Sequence, residues 1–160
     1  MAERPAVTSA LDADTFDLLL AVPARLSRLH TAILGALDPK LTFRQYRTLS
    51  RVAGGFTTFS ELAAKGNLTL PTVSENVDGL VRRGLMTTTV SATDRRAAIL
   101  GITDEGRRAV AAADTALRDF WEFVIEGMPA TELHAATNAL GSIYERATTF
   151  FRDRNIDRNS

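Results

Sequence analysis

The chain has no cysteine. Disulfides, thiol redox sensing, a thiol nucleophile and cysteine-ligated zinc are therefore excluded together. Histidine occurs only as His30 and His134. Neither sits in a His/Asp/Glu cluster at ligand spacing, so no metal site and no cofactor are expected. No apolar run reaches the roughly 18 residues of a membrane span, although 45% of the chain is hydrophobic and a core can form. The start is acidic and polar (Glu3, Asp12, Asp14), without the basic and then apolar stretch of an export signal, so a cytoplasmic location and no membrane partner are expected. Walker loops, a dinucleotide glycine fingerprint, a nucleophile elbow and His-Glu-x-x-His are all missing, and an enzyme is not expected.

Net charge is also missing: 19 Lys/Arg balance 19 Asp/Glu over 160 residues. The distribution is uneven. Residues 40–110 hold eleven basic and six acidic groups, net +5, whereas residues 1–39 carry −2 and residues 111–160 carry −3. A basic centre between acidic arms is a plausible footprint for a polyanion such as DNA. Uneven charge on helical surfaces is the plainer alternative.

Most of the chain reads as helix. Asp14 or Thr15 can cap a long first helix, with Leu19, Val22, Leu26, Leu29, Ile33 and Leu37 recurring at helical spacing and a stop near Asp38-Pro39. Two capping boxes, Thr42-Phe-Arg-Gln45 and Thr58-Phe-Ser-Glu61, each announce a short helix. Gly54-Gly55 separates these helices. Gly66-Asn67 closes the second, with glycine as the residue suited to the left-handed position. A third helix begins near Thr69, with Pro71 in its first turn, and runs to Gly84. Met86–Val90, a turn at Ser91–Asp94 and a return at Ala97–Ile102 read as a β-hairpin. Thr103, followed by Asp104 and Glu105, opens a long helix to about Glu126. Pro129 opens a last helix ending near Phe151, and the tail from Arg152 is polar.

The expected fold is mainly α with a small β-hairpin: a winged helix-turn-helix core flanked by long dimerisation helices. Residues 1–38 supply the N-terminal helix of the dimerisation region, residues 39–103 the DNA-binding domain, and residues 104–160 the C-terminal dimerisation helices. On the third short helix, Val73, Val77, Leu80 and Val81 share one face. Thr72, Glu75, Asn76, Gly79, Arg82 and Arg83 fall broadly on the other, as a helix that docks on one side and enters the major groove on the other requires. Asn reads adenine and Glu accepts from cytosine, so Thr72, Glu75 and Asn76 are candidates for base edges. Lys65, Thr69, Ser74, Arg82 and Arg83 suit phosphates. Arg95 and Arg96, with Asp94, would stand at the hairpin tip, where arginine suits a narrow minor groove.

Five segments carry a resemblance: Glu61-Leu-Ala-Ala-Lys65, Leu70-Pro-Thr-Val-Ser74, Val77-Asp-Gly-Leu-Val-Arg-Arg-Gly-Leu85, Asp94-Arg-Arg96 and Ile102-Thr-Asp-Glu-Gly106. In order and spacing they resemble the MarR family of bacterial transcriptional regulators, over about residues 41–106. The resemblance implies a homodimer of interlocked terminal helices. It also implies a double-stranded DNA operator as partner and a small lipophilic or phenolic effector held between the dimerisation and DNA-binding parts, with repression relieved by that effector. It carries the groove contacts to Thr69, Pro71, Thr72, Ser74, Glu75 and Asn76, and the wing contact to Arg95 or Arg96, with Asp94 orienting it or pairing with a nearby arginine. Two departures stand out. Met86-Thr87-Thr88 replaces the basic residue common after the Gly-Leu that ends the recognition helix, and that helix carries Glu75 and Asp78.

The expected function is therefore a sequence-specific, ligand-responsive repressor. The alternative is a winged-helix ligand-binding or protein-interaction module that has lost DNA binding. Aromatic and aliphatic residues gather near the two ends (Phe16, Leu19, Phe120, Trp121, Phe123, Ile143, Tyr144, Phe150, Phe151), where core and dimer interface coincide if thin helices must pair. Phe43, Tyr46, Arg51 and Phe56 fall where a ligand cavity would open, although packing is the simpler account of the aromatics, and no ligand contacts are assigned.

Overall fold

The structure, a computed structural model, describes residues 11–90 and 98–154. Helix α1 spans Ala13–Gly35. Its cap is Asp12, ahead of the expected Asp14 or Thr15: the Asp12 carboxylate accepts the Thr15 amide at 2.7 Å, the N-cap-to-N3 spacing. That bond holds the carboxyl below its ordinary pKa. The helix closes at Gly35, short of Asp38-Pro39, where the Ala36 N–H bonds the Ala32 and Ile33 carbonyls.

Helices α2 (Phe43–Ala53) and α3 (Phe59–Gly66) each begin with the complete reciprocal capping box read from the sequence. The Glu61 carboxylate accepts from the Thr57 and Thr58 amides and the Thr58 hydroxyl, all at 2.9 Å, which lowers its pKa. Helix α4 spans Leu70–Arg82 behind its N-cap Thr69. It ends in a Schellman pattern: Leu85 N–H donates to the Leu80 carbonyl and Gly84 N–H to Val81, with Gly84 at φ 70°. Strands β1 (Met86–Val90) and β2 (Ala98–Ile102) pair antiparallel, from Met86 opposite Ile102 to Val90 opposite Ala98. The expected turn, with Asp94, Arg95 and Arg96, lies outside the described residues. Helix α5 (Asp104–Ile125) starts at the Thr103 cap. Helix α6 (Ala130–Arg154) continues past the expected end near Phe151.

The core sits inside the winged helix. Leu49, Leu62, Val77, Leu80, Leu85 and Met86 are buried together and packed by Leu100, Ala109 and Ala113. Tyr46 ties α2 to α5 by donating to the Asp114 carboxylate at 2.6 Å. Burial, and then this bond, push its pKa up to about 12. The ends differ sharply. Leu19, Leu20 and Val22 on α1, Phe123 and Val124 on α5, and Leu140, Ile143 and Tyr144 on α6 are exposed, and α6 makes only marginal contact with every other element. Among the described residues no helix is long and apolar enough to cross a membrane.

One close approach joins the wing to the rest. A Cβ at Gly106 would lie 2.1 Å from the Leu85 carbonyl oxygen and 2.8 Å from Ile102 Cγ1. That oxygen also accepts the Thr103 amide, and the Thr103 hydroxyl donates to the Gly84 carbonyl. Backbone on both sides cannot yield cheaply. Gly106→Ala is expected to destabilise the chain by about 1–3 kcal/mol, lowering the urea midpoint at unchanged slope. An unchanged midpoint would show that the junction is looser than these distances.

Candidate nucleic-acid interface

Helices α3 and α4 form a helix-turn-helix whose turn is set by Asn67, the left-handed residue at φ 52°. Leu68 N–H donates to Ala63 O and Asn67 N–H to Ala64 O. The glycine beside it has a different task from the one its sequence position suggests. Gly66 is helical, and a Cβ there would come within 2.7 Å of Arg51 Nη1. It makes room for the Arg51 guanidinium, which crosses from α2 and donates to the Lys65 carbonyl at 3.3 Å.

The apolar face of α4 is buried as expected, through Val73, Val77 and Leu80, with Val81 half-buried. On the outer side Pro71, Glu75 and Arg82 are exposed, and Thr72 and Ser74 are half-buried. Lys65 is exposed at the end of α3. Thr69 caps the helix, and its hydroxyl pairs with that of Thr72 at 2.8 Å. Asn76 is turned inward: its Nδ2 donates to the Thr48 hydroxyl on α2 at 2.7 Å. Arg83 is likewise spent on the scaffold, donating to Gln45 Oε1 at 3.0 Å and to the Lys40 carbonyl. A wheel drawn on α4 alone gave both residues to the outer face, because it cannot show that α2 lies against that flank.

A cleft of about 440 Å³ runs between the start of α2 and the outer face of α4, with Thr42, Arg44, Thr72, Glu75, Asn76 and Arg82 among its walls. Arg44 is therefore a cation of this surface that sequence reasoning missed. The available signal was its place just inside the Thr42 capping box, which exposes it at a helix start. The wing strands adjoin this surface. β2 is hooked to the helix-turn-helix by Leu100 N–H donating to the Thr57 carbonyl at 2.8 Å, a link without a local sequence signal. The wing candidates Asp94, Arg95 and Arg96 lie outside the described residues.

Behind the helix-turn-helix, His30 of α1 stacks on Phe43 (5.5 Å between centroids, 12°) and meets Phe120 edge-on and Trp121 at a tilt. Desolvation lowers its pKa. Among the described residues no group of three or more His, Asp or Glu is placed to hold a metal ion.

A hairpin following a helix-turn-helix, with long helices on either side, defines a winged helix-turn-helix protein. Residues 40–97 match the sequence profile of the MarR family. The fold resembles that of Streptococcus pneumoniae FabT, solved in complex with DNA, at 20% identity, covering 86% of this chain and 97% of that one with a TM-score of 0.78. It also resembles CouR from Rhodococcus jostii RHA1, solved bound to p-coumaroyl-CoA, at 27% identity, 85% and 95% coverage and a TM-score of 0.69. A MarR-family transcriptional regulator from Rhodococcus sp. RHA1 aligns at 27% identity, 84% and 97% coverage and a TM-score of 0.65. No curated protein sequence matches the chain.

The inward bond of Asn76 is open to a direct test. A double-mutant cycle of Thr48→Val and Asn76→Ala, read by urea unfolding, is expected to give a coupling of about 1 kcal/mol. Additive effects of the two changes would mean that the Asn76 amide is not held by α2.

Proposed function

We propose that this chain is a homodimeric, sequence-specific DNA-binding transcriptional regulator, acting as a repressor that an effector releases from its operator. The carrying observation is the geometry of α4. It is docked by Val73, Val77 and Leu80, closed at both ends by hydrogen-bonded caps, and presents Thr72, Glu75 and Arg82 outward beside an attached hairpin. Such a helix enters the major groove with its N-terminal half, so Thr69, Pro71, Thr72, Ser74 and Glu75 would meet bases and nearby backbone. Lys65, Arg82 and Arg44 would meet phosphates, and Asp94, Arg95 and Arg96 would form the wing contact. Asn76 and Arg83 join them only after leaving Thr48, Gln45 and the Lys40 carbonyl. FabT, which shares this fold, was solved in complex with DNA, which supports the reading.

The division of the chain follows from the same surfaces. Residues 39–103 form the DNA-binding part, while residues 1–38 and 104–160 pair with a second copy. A second copy is the fitting occupant because the uncovered apolar side chains lie on the thin terminal helices, with Phe123 76% and Leu140 65% exposed. Monomers rarely leave so many large apolar side chains gathered on a few helices in water. An effector would lodge between the two parts; CouR, solved with a bound thioester, supports a small-molecule ligand.

Asn76 turned inward, Arg83 engaged with Gln45 and the Lys40 carbonyl, and Glu75 exposed favour the second reading, a winged-helix module without DNA affinity. Fluorescence anisotropy of the full chain on DNA from its own upstream region separates the two. Six or more phosphate contacts per dimer predict a loss of about 10³-fold in affinity between about 50 and 200 mM salt. Arg95→Ala with Arg96→Ala should weaken binding and flatten that slope. No binding at the lower salt, or binding indifferent to salt, would favour the second reading.

A further inference from the structure

We propose that Thr48 of α2 decides which base α4 reads: by holding the Asn76 amide it withdraws an adenine reader and leaves the Glu75 carboxylate to select cytosine. This deepens the DNA-binding reading above and rests on it.

Glu75, Asn76 and Gly79 stand together where α4 lines the cleft beside α2, with Arg44 and Arg82 among the other walls. Gly79, one turn on from Glu75, adds no side chain, and a Cβ there would meet nothing nearer than Arg82 Nη2 at 3.8 Å. The helix surface next to Glu75 is therefore low, and a base edge has room to approach the carboxylate. Glu75 is exposed, and among the described residues no cation forms an ion pair with it.

A carboxylate only accepts hydrogen bonds. Guanine turns N7 and O6 to the major groove and thymine O4, all acceptors, so either base would leave Glu75 desolvated and unpaired. Adenine offers its N6 amine beside the N7 acceptor, which repels the second carboxylate oxygen. Cytosine offers its N4 amine without an adjoining acceptor, and so it is the base that Glu75 matches.

Asn76, the next residue, would otherwise add adenine. That contact takes both ends of its amide, Nδ2 donating to N7 and Oδ1 accepting from N6. Here Nδ2 is committed to the Thr48 hydroxyl at 2.7 Å. Thr48 is only 4% exposed, so water competes poorly for the bond, and a move of Asn76 to DNA would leave the hydroxyl buried without it. Thr48 meets no base itself. It acts through Asn76, as a positioning residue.

Selection of the full chain on a random-sequence duplex library, followed by sequencing, tests the assignment. The parent is expected to enrich a cytosine in each half-site. Thr48→Val keeps the shape of the side chain but removes the acceptor, and it should enrich, by about tenfold, an adenine that the parent does not select. Adding Asn76→Ala to Thr48→Val should erase that adenine, and Thr48→Ser, which keeps the hydroxyl, should not gain it. A Thr48 that served packing alone would change melting or overall affinity and leave the selected sequence as it was. In fluorescence anisotropy, N4-methylcytosine at the selected cytosine puts a methyl in place of the groove-facing hydrogen. It should weaken the parent about tenfold and Glu75→Ala far less. Glu75→Ala, at an exposed position, carries the test if Thr48→Val fails to fold. A selection by Thr48→Val identical to the parent's, an adenine that survives Asn76→Ala, or no cytosine whose enrichment is lost in Glu75→Ala would overturn this proposal alone. Retention of no duplex by the parent at about 50 mM salt would overturn the DNA-binding reading, and the proposal with it.

Discussion

The backbone of Leu85 is where the recognition helix, the wing and α5 are held to one another. Its N–H completes the Schellman closure of α4, and its carbonyl accepts the amide of Thr103, the residue that caps α5. Its side chain is buried in the core beside Leu80 and Met86. The carbonyl has room only because residue 106 has no Cβ. Three elements thus meet on one residue, with both of its backbone groups paired, as buried polar groups require. The position of α4 relative to the hairpin is set here by short-range covalent and hydrogen-bond geometry. It does not depend on long flexible side chains, which is what a surface matched to the spacing of DNA grooves needs.

The rest of the chain obeys a different constraint. The winged helix has a closed core of its own, whereas α1, the end of α5 and α6 have apolar faces and little of their own chain to bury them against. Hydrophobic stabilisation scales with the apolar area removed from water, so helices this thin would gain it by the pairing with a second copy proposed above. The uncovered helices are joined to α4 within the chain: α5 begins at the Leu85 junction and ends among the uncovered side chains, and α2 stands between α5, through Tyr46 and Asp114, and α4, through Thr48 and Asn76.

Much of this was legible from residues alone where the determinants are local. The boxes at Thr42/Gln45 and Thr58/Glu61, the Thr103 cap and the Val73, Val77 and Leu80 stripe each lie within a few residues, and the structure contains all of them. The first cap, expected at Asp14 or Thr15, fell to Asp12, because several cap-forming residues stand together there and local sequence does not rank them. Asn67 and not Gly66 took the left-handed position because α3 runs on through Gly66, which lies against the Arg51 side chain, distant in sequence. The same limit explains the inward turn of Asn76, the bond from Leu100 to Thr57 and the placement of Arg44. Each depends on a neighbouring element that no window along the chain contains. The site was therefore readable as a helix face, but not as a set of free and engaged side chains.

The central claim is that two copies of α4, related by a two-fold axis, read one DNA duplex. The most direct measurement is sequencing of the DNA fragments that the full chain retains from a random-sequence library. A two-fold dimer predicts an enriched inverted repeat whose half-sites lie about one helical turn, or a multiple of it, apart from centre to centre. Enrichment of a single unrepeated site, or no enrichment over the starting library, would contradict it.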